Sequence, residues 1–194
     1  MVRMKLVLAS LFAATLYVAS LVLFPVDKVE VEGNRHLQKE EILARAQLYA
    51  GEPWLWVGNG RLEALRQDPW VAEARLEKPR IGEVRLILRE REPLLPLADG
   101  NALATDGTVL SGGAPVAKGP QVEGQGPLPV QDLLALARAY PEATRLRYTP
   151  AGFWVETPQG VAFAPEARLL VEYAQAGRAK GKVYLYSWGV SESP

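Results

Sequence analysis

The feature that most constrains this chain is an uncharged segment near its N-terminus. From Leu6 to Phe24, nineteen consecutive residues carry no charge, and they follow Arg3 and Lys5 and precede Pro25. A helix of roughly 20 residues crosses a hydrocarbon core of about 30 Å, because each residue adds about 1.5 Å. A helix also satisfies its own backbone polar groups inside lipid. The segment therefore predicts a transmembrane helix over residues 6–24, after a short tail of residues 1–5.

The charges before this segment predict its orientation. Arg3, Lys5 and the terminal amine resist translocation, whereas the long domain after Phe24 crosses regardless of its own charges. We therefore expect a single-pass protein with a cytoplasmic N-terminus. The alternative is a signal peptide cleaved at Val18-Ala19-Ser20, but the apolar run continues to Phe24, which is longer than the roughly 7 to 15 residues of a signal h-region. An uncleaved anchor fits the pattern better.

The residues after the anchor begin with a strand pattern and a helix pattern. Val29 and Val31 alternate with charged neighbours, which predicts a strand with one buried face that ends at Gly33-Asn34. Residues 39–48 then have helical periodicity and stop at Gly51-Glu52-Pro53. The apolar positions of this helix are Ile42, Leu43 and Ala46.

A second helix and two strands complete a small domain. Asn59 is the predicted N-cap of the helix, and Asp68-Pro69 ends it. Each strand has an alternating apolar set: Ala72, Ala74 and Leu76 in residues 70–78, and Val84, Leu86 and Leu88 in residues 83–90. The order strand, helix, helix, strand, strand predicts both helices on one sheet face. The charges of Arg89-Glu90-Arg91-Glu92 are expected to face water.

Three segments of this domain together resemble one protein family. They are Val29–Asn34 (VEVEGN), Asp68–Ala74 (DPWVAEA) and Arg89–Pro93 (REREP). They are similar to the POTRA domain of the FtsQ/DivIB family of bacterial cell-division proteins. The resemblance implies an α+β chain with a POTRA domain of β-α-α-β-β order and a mixed three-stranded sheet over residues 26–91. A mainly antiparallel β domain with flanking helices would follow over residues 92–190, with a C-terminal tail of residues 191–194.

The second domain has turn residues at short intervals, which predicts short strands. Residues 153–155 and 161–163 flank Pro158-Gln159-Gly160 as the strands of a hairpin would. Two amphipathic helices are predicted over residues 131–139 and 165–177, and a last strand over residues 182–188. By resemblance, residues 103–110 are similar to the first hairpin of the family's β domain.

The resemblance also implies a partner site. In relatives, the sheet edge near the C-terminus accepts a strand from FtsB, the coiled-coil partner that also holds FtsL. Exposed strand edges and aromatic side chains suit that role. The candidate partner-binding residues are Val183, Tyr184, Leu185, Tyr186, Ser187 and Trp188.

The C-terminal sequence departs from the family pattern at this site. Family members often have V-D-L-R and one further strand, whereas this chain has Val183-Tyr184-Leu185-Tyr186 and ends six residues after Trp188. The residues leave open which strand is the free edge. They also leave open whether the aromatic face covers the domain's own helix instead.

Chemistry-bearing patterns are missing from the sequence. The chain has one histidine, His36, and no cysteine, so we expect no catalytic residues, no metal site and no cofactor. The 22 basic and 22 acidic residues are interspersed, which argues against a nucleic-acid partner. No small-molecule substrate is expected either.

The leading hypothesis is a divisome scaffold rather than an enzyme. The resemblance implies a protein of the cell inner membrane at the division septum, with its domains on the periplasmic or extracytoplasmic side and FtsB-like and FtsL-like partners. The alternatives are a POTRA-type envelope chaperone or transport subunit and a membrane-anchored cell-wall hydrolase. POTRA proteins with a membrane barrel are disfavoured, because the residues after 91 lack a series of strands of about 9 to 11 residues each.

Overall fold

The computed structural model describes the backbone of residues 2–176 and 181–193 and the side chains of residues 7–176 and 181–191. The chain divides into two compact units, one that ends at Glu90 and one that begins at Arg91. The end of the predicted helix at Gly177 and the last residue, Pro194, lie outside the described residues.

The first element of unit 1 is a long helix, α1, over Val2–Leu23. The side chains of residues 7–18 are all exposed. Among the residues whose side chains are described, no helix combines the length and the apolar character that crossing a membrane requires. The predicted tail, residues 1–5, has no described side chains.

The rest of unit 1 is a three-stranded sheet with short helices. The strands are β1 (Lys28–Glu32), β2 (Val71–Glu77) and β3 (Glu83–Glu90), and the α-helices are α2 (Lys39–Ala46) and α3 (Glu63–Arg66). Two 3-10 helices, Trp54–Trp56 and Asn59–Leu62, lie between α2 and α3. The sheet order is β1-β3-β2, with β1 parallel and β2 antiparallel to β3, so the predicted mixed three-stranded sheet is confirmed.

The core of unit 1 follows the predicted apolar periodicities except in β2. The buried residues include Ile42, Ala46, Leu62, Leu65, Val84, Leu86 and Leu88. In β2 a bulge between Val71 and Glu73 shifts the alternation, so that Val71 and Ala74 are the buried pair. The predicted N-cap role of Asn59 is wrong, because Asn59 lies inside a 3-10 helix and its Oδ1 accepts the backbone N–H of Leu76 at 3.1 Å.

Unit 2 contains a small sheet and a large one. The small antiparallel sheet has the order β4-β5-β6, from β4 (Pro93–Pro96), β5 (Ala102–Ala104) and β6 (Val109–Leu110). The large sheet has six strands: β7 (Gln121–Gly124), β8 (Arg145–Thr149), β9 (Gly152–Thr157), β10 (Gly160–Ala164), β11 (Gly181–Tyr186) and β12 (Gly189–Ser193). Its order is β12-β11-β10-β9-β8-β7. The β7–β8 and β10–β11 pairs are parallel, and the other pairs are antiparallel.

Two helices cover one face of the large sheet. They are α4 (Val130–Ala139) and α5 (Ala167–Ala176). The core between them and the sheet includes Leu133, Leu136, Leu146, Val155, Ala162, Leu170, Val183 and Leu185. Each parallel pair is joined through one of these helices, since α4 lies between β7 and β8 and α5 between β10 and β11. The opposite face of the sheet carries the alternate residues.

Candidate partner-binding site

The two ends of the large sheet differ in how they are covered. At the β7 end, Leu97 forms a parallel bridge with Val122, and the N–H of Gly119 donates to the carbonyl of Leu94 at 2.7 Å. At the other end, β12 pairs with β11 on one side, and within residues 2–176 and 181–193 no strand pairs with its outer side. The row of backbone groups along β12 is therefore the open edge of the sheet.

The hairpin that forms this edge fixes which backbone groups point outward. Only Ser187 and Trp188 separate Tyr186 from Gly189, so these two partners form the hydrogen-bonded pair that closes the hairpin. The next pair, Leu185 and Val190, is then a non-hydrogen-bonded pair. The N–H and C=O of Val190 consequently point away from β11, towards the open edge.

Aromatic side chains lie beside the same edge. Trp188, in the hairpin turn, is 82% exposed. Its ring is stacked on that of Tyr186, with 5.1 Å between the centroids and 8° between the planes. Stacking holds the large Trp188 ring in one position while most of its surface remains available to another molecule.

A second aromatic row crosses the sheet on the face opposite to the helices. Trp154 of β9, Phe163 of β10 and Tyr184 of β11 are direct cross-strand neighbours. Their ring centroids are 4.5 Å apart for Trp154 and Phe163 and 6.1 Å apart for Phe163 and Tyr184. The row ends one strand short of the open edge, so apolar area extends from the middle of the face towards β12.

The other half of this face is charged. Arg145 and Arg147 of β8 each form ion pairs with Glu123 and Glu156, at 3.3 to 3.8 Å. The two arginines and two glutamates neutralise each other, so this half of the face carries no net charge from them. The part of the face that can contribute apolar contacts to a partner is the half nearer β12.

The six predicted partner residues lie in three different environments. Val183 and Leu185 are buried in the core with Leu170 of α5. Tyr184 and Tyr186 lie on the opposite face, so the aromatic face does not cover the domain's own helix. Ser187 and Trp188 form the turn that follows β11.

The backbone of β11 is not an edge. It pairs with β10 on one side and with β12 on the other. A partner strand cannot add to residues 183–186 while β12 is in place, so the open edge is one strand further along the chain than those residues. The predicted tail of residues 191–194 accordingly contributes Ser191 to Ser193 to β12.

Sequence reasoning missed β12 because its pattern is weak. The strand is Gly-Val-Ser-Glu-Ser, in which Val190 is the one large apolar residue, so no alternation predicts it. The available signal was Gly189 immediately after a two-residue turn, which matches the length of a tight hairpin.

In unit 1, Glu90 and Trp70, which belong to two of the segments that carry the family resemblance, contact the loop that directly follows the third segment. The carboxylate of Glu90 accepts the backbone N–H groups of Arg35, His36 and Leu37 at 3.0, 2.8 and 3.0 Å. The His36 ring is stacked on Trp70, with 3.7 Å between centroids and 11° between planes. The expectation that Glu90 simply faces water is wrong, because it holds the loop that follows β1.

The titratable groups with shifted pKa values have structural explanations. Burial raises the pKa of Tyr140 to about 12, and the hydroxyl donates to the carbonyl of Leu170 at 2.7 Å. Burial alone would raise the pKa of Asp106, but hydrogen bonds from Arg91 and Thr108 outweigh it and lower the pKa. No cluster of three or more metal-ligating side chains occurs in the part of the chain that the structure describes.

Comparison with known families identifies the domain of unit 1. The family model described as POTRA domain, FtsQ-type, matches residues 24–91, which contain β1, α2, α3, β2 and β3. The match covers this domain and does not extend to the open edge of unit 2. A comparison with curated proteins found no match. A POTRA domain of this type indicates a cell-division protein.

Proposed function

Because its POTRA domain identifies this chain as an FtsQ/DivIB-family protein, we propose that it is a scaffold of the division machinery that binds FtsB-like and FtsL-like partners through β12. The protein acts through binding free energy and carries out no reaction of its own. Its partners are recruited to the division septum and regulated there.

One observation carries this proposal: β12 is the open edge of the large sheet. An extended partner segment gains main-chain hydrogen bonds from the outward N–H and C=O of Val190, and specificity from the side chains beside the strand. Trp188 and the stacked Tyr186 supply the large apolar anchors that dominate the binding energy of many interfaces.

The same proposal includes a membrane anchor formed by α1. Residues 6–24 carry no charge, and the apolar side chains of α1 are exposed all around the helix, among them Leu8, Phe12 and Val22. A helix that is apolar on every side is suited to a membrane rather than to water. The positive residues Arg3 and Lys5 support a cytoplasmic N-terminus in the inner membrane, with both domains on the outer side.

The experiment that tests the site separates backbone from side chain at Val190. The full chain, as wild type, Val190→Pro and Val190→Ala, is purified in detergent, and its affinity for the FtsB-like and FtsL-like proteins of the same organism is measured. Val190→Pro removes an outward N–H without removing a bond to β11, so we expect a loss of affinity of at least about tenfold. Val190→Ala keeps the N–H and should lose much less.

The outcomes distinguish the site from the function. Equal affinity of Val190→Pro and wild type would overturn the assignment of β12. A wild-type chain that binds neither partner would overturn the proposed function itself.

A further inference from the structure

The exposed apolar side chains of unit 1 are concentrated at one end of its domain. Outside α1, the large hydrophobic side chains that the structure describes as exposed in this unit are Tyr49, Leu55, Trp56 and Ile81, with 54%, 55%, 51% and 64% exposed. We refer to these four residues as the apolar collar. They lie in three short segments: the loop of Tyr49, the 3-10 helix Trp54–Trp56 and the turn of Ile81.

All three segments form backbone hydrogen bonds with residues 24–28, where α1 ends and the domain begins. The loop of Tyr49 is held by Gly51, whose N–H donates to the carbonyl of Val26 at 2.8 Å. The turn of Ile81 is held by the carbonyl of Gly82, which accepts the N–H groups of Asp27 and Lys28 at 2.8 and 3.1 Å. The backbone segments that carry Tyr49 and Ile81 therefore both contact residues 26–28, directly after α1.

The third segment is the 3-10 helix Trp54–Trp56, which carries Leu55 and Trp56 and is connected to α1 itself. The N–H of Trp54 donates to the carbonyl of Phe24 at 2.9 Å, and Pro53 forms a bridge with Pro25. The Trp56 ring meets the edge of the Tyr17 ring, with 5.9 Å between centroids. Tyr17 precedes Phe24 by seven residues, so the contacts of the 3-10 helix extend along α1 over about 10 Å.

The side chains of Trp54 and Lys78 hold this 3-10 helix against the rest of the domain. The indole N–H of Trp54 donates to the carbonyl of Glu83 at 2.9 Å. The Lys78 ammonium lies 4.7 Å from the centroid of the Trp54 ring and donates to the carbonyls of Trp54 and Leu55 at 2.7 and 3.3 Å. Trp54 thus anchors the 3-10 helix in the domain, and Leu55 and Trp56 are held with their side chains outward.

We propose that the apolar collar is a lipid-docking surface that inserts into the outer leaflet beside α1. The inference rests on the proposed membrane anchor. Tryptophan and tyrosine are favoured at the membrane interface, and surface elements of peripheral proteins bury their apolar side chains about 5 to 10 Å into it. The reach of about 10 Å from Phe24 back to Tyr17 agrees with that depth. Arg80, next to Ile81, is 77% exposed and pairs with Glu83 through its Nε at 3.1 Å, so its contribution to lipid binding is not required by the proposal.

Docking would fix the orientation of the domain relative to the bilayer, so that the domain could not rotate about the end of α1. The carbonyls of Phe24 and Val26 accept hydrogen bonds from Trp54 and Gly51, and the N–H of Asp27 donates to Gly82, so no flexible linker separates α1 from the domain. The strand β1 begins at Lys28, immediately after this junction. The orientation of the POTRA sheet relative to the membrane follows from the same contacts.

Single-cysteine labelling tests this proposal directly, because the natural chain contains no cysteine. Four full-chain variants, Leu55→Cys, Ile81→Cys, Val18→Cys and Lys39→Cys, are labelled with an environment-sensitive fluorophore. The labelled proteins are placed in nanodiscs of phosphatidylethanolamine and phosphatidylglycerol, with and without a lipid that carries a nitroxide quencher. Val18 reports on the anchor, and Lys39, exposed at the start of α2, reports on a part of the domain outside the collar.

We expect the lipid-borne quencher to reduce emission from the Leu55 and Ile81 labels to an extent close to that of the Val18 label. The Lys39 label should keep its emission. If Val18 is quenched while Leu55 and Ile81 behave like Lys39, the collar proposal is overturned and the anchor stands. If the Val18 label is not quenched, the membrane anchor of the proposed function is overturned. Protection of the collar labels only after partner proteins are added would assign the surface to a protein and also overturn the proposal.

Discussion

The carboxylate of Glu90 accepts the backbone N–H of His36 at 2.8 Å across 54 positions of the sequence. It also accepts the neighbouring N–H groups of Arg35 and Leu37, so one side chain satisfies three donors of the loop after β1. The stack of His36 on Trp70 fixes the same loop to the start of β2. Glu90 and Trp70, which belong to the segments that resemble the POTRA family, thus also hold the loop after β1 in place.

Replacing Glu90 should destabilise unit 1. Glu90→Ala leaves three N–H groups without their carboxylate acceptor, and we expect the free energy of unfolding to fall by about 2 kcal/mol, as for charge-assisted hydrogen bonds that are partly exposed. Urea unfolding of the full chain in detergent measures this. Glu77→Ala is the control, because it removes an exposed pair with Arg75 at 3.4 Å that should contribute less than about 1 kcal/mol. Equal losses in the two variants would contradict the role of Glu90.

Gly33 should tolerate substitution less well than another glycine of similar conformation. Its φ is +88°, and a Cβ there would overlap the carbonyl oxygen of Leu88 on β3. Gly51 has a φ of +85°, but a Cβ at that position would have no described heavy atom within 4 Å. Gly51→Ala should therefore lose about 1 kcal/mol of stability from backbone strain alone, whereas Gly33→Ala should lose clearly more. Thermal unfolding of both variants tests the difference, and a Gly33→Ala protein as stable as Gly51→Ala would refute it.

Tyr140 should make unit 2 sensitive to alkaline pH. Burial is the main cause that raises its pKa from 10.0 to about 12, and the phenol of Tyr173 and the charge of Glu142 add to it. The folded chain therefore holds the phenol proton more tightly than the unfolded chain does. This contribution, about 2 to 3 kcal/mol for two pKa units, is fully present below pH 10 and is lost as the pH rises from 10 to 12.

Tyr140→Phe separates this effect from general alkaline unfolding. The variant loses the hydrogen bond to Leu170, so at pH 7 it should be less stable by about 1 kcal/mol. Between pH 10 and 12 its stability should fall less steeply than that of the wild type, as measured by urea unfolding at each pH. Parallel curves for Tyr140→Phe and wild type would show that Tyr140 does not titrate in this range.

The stacked aromatic pair beside β12 should contribute more to partner binding than to folding. Trp188 is 82% exposed and Tyr186 is half-buried on the face away from the core, so Tyr186→Ala with Trp188→Ala should lower the stability of unit 2 by no more than about 1 kcal/mol. Affinity for the FtsB-like partner should fall by about 2 kcal/mol or more if the two rings are hot spots. Isothermal titration calorimetry measures the affinity, with Trp154→Ala as a control within the aromatic row but three strands from the edge. Unchanged affinity of the double variant would remove these rings from the site.

Several parts of the fold follow from local sequence patterns. Residues 83–90 alternate except at Ile87, and the predicted inward set, Val84, Leu86 and Leu88, is buried. The helical spacing of Ile42 with Ala46 and of Leu62 with Leu65 likewise places these residues in the core. These predictions succeed because the period of two or of about 3.6 residues is imposed by one buried face, and such a face is visible in a short window of sequence.

Local sequence patterns predict the helix and strand order of the first domain and the buried faces of α2 and β3, and three short segments indicate the POTRA family of that domain. The tertiary contacts show that β12 is the open edge, that Glu90 binds the loop after β1 and that the segments carrying Tyr49, Leu55, Trp56 and Ile81 contact the end of α1. Each of these depends on residues that are distant in the chain or on backbone groups that are the same in every residue. A pattern of side chains along one segment carries information about its own buried face, but not about which other segment supplies the contact.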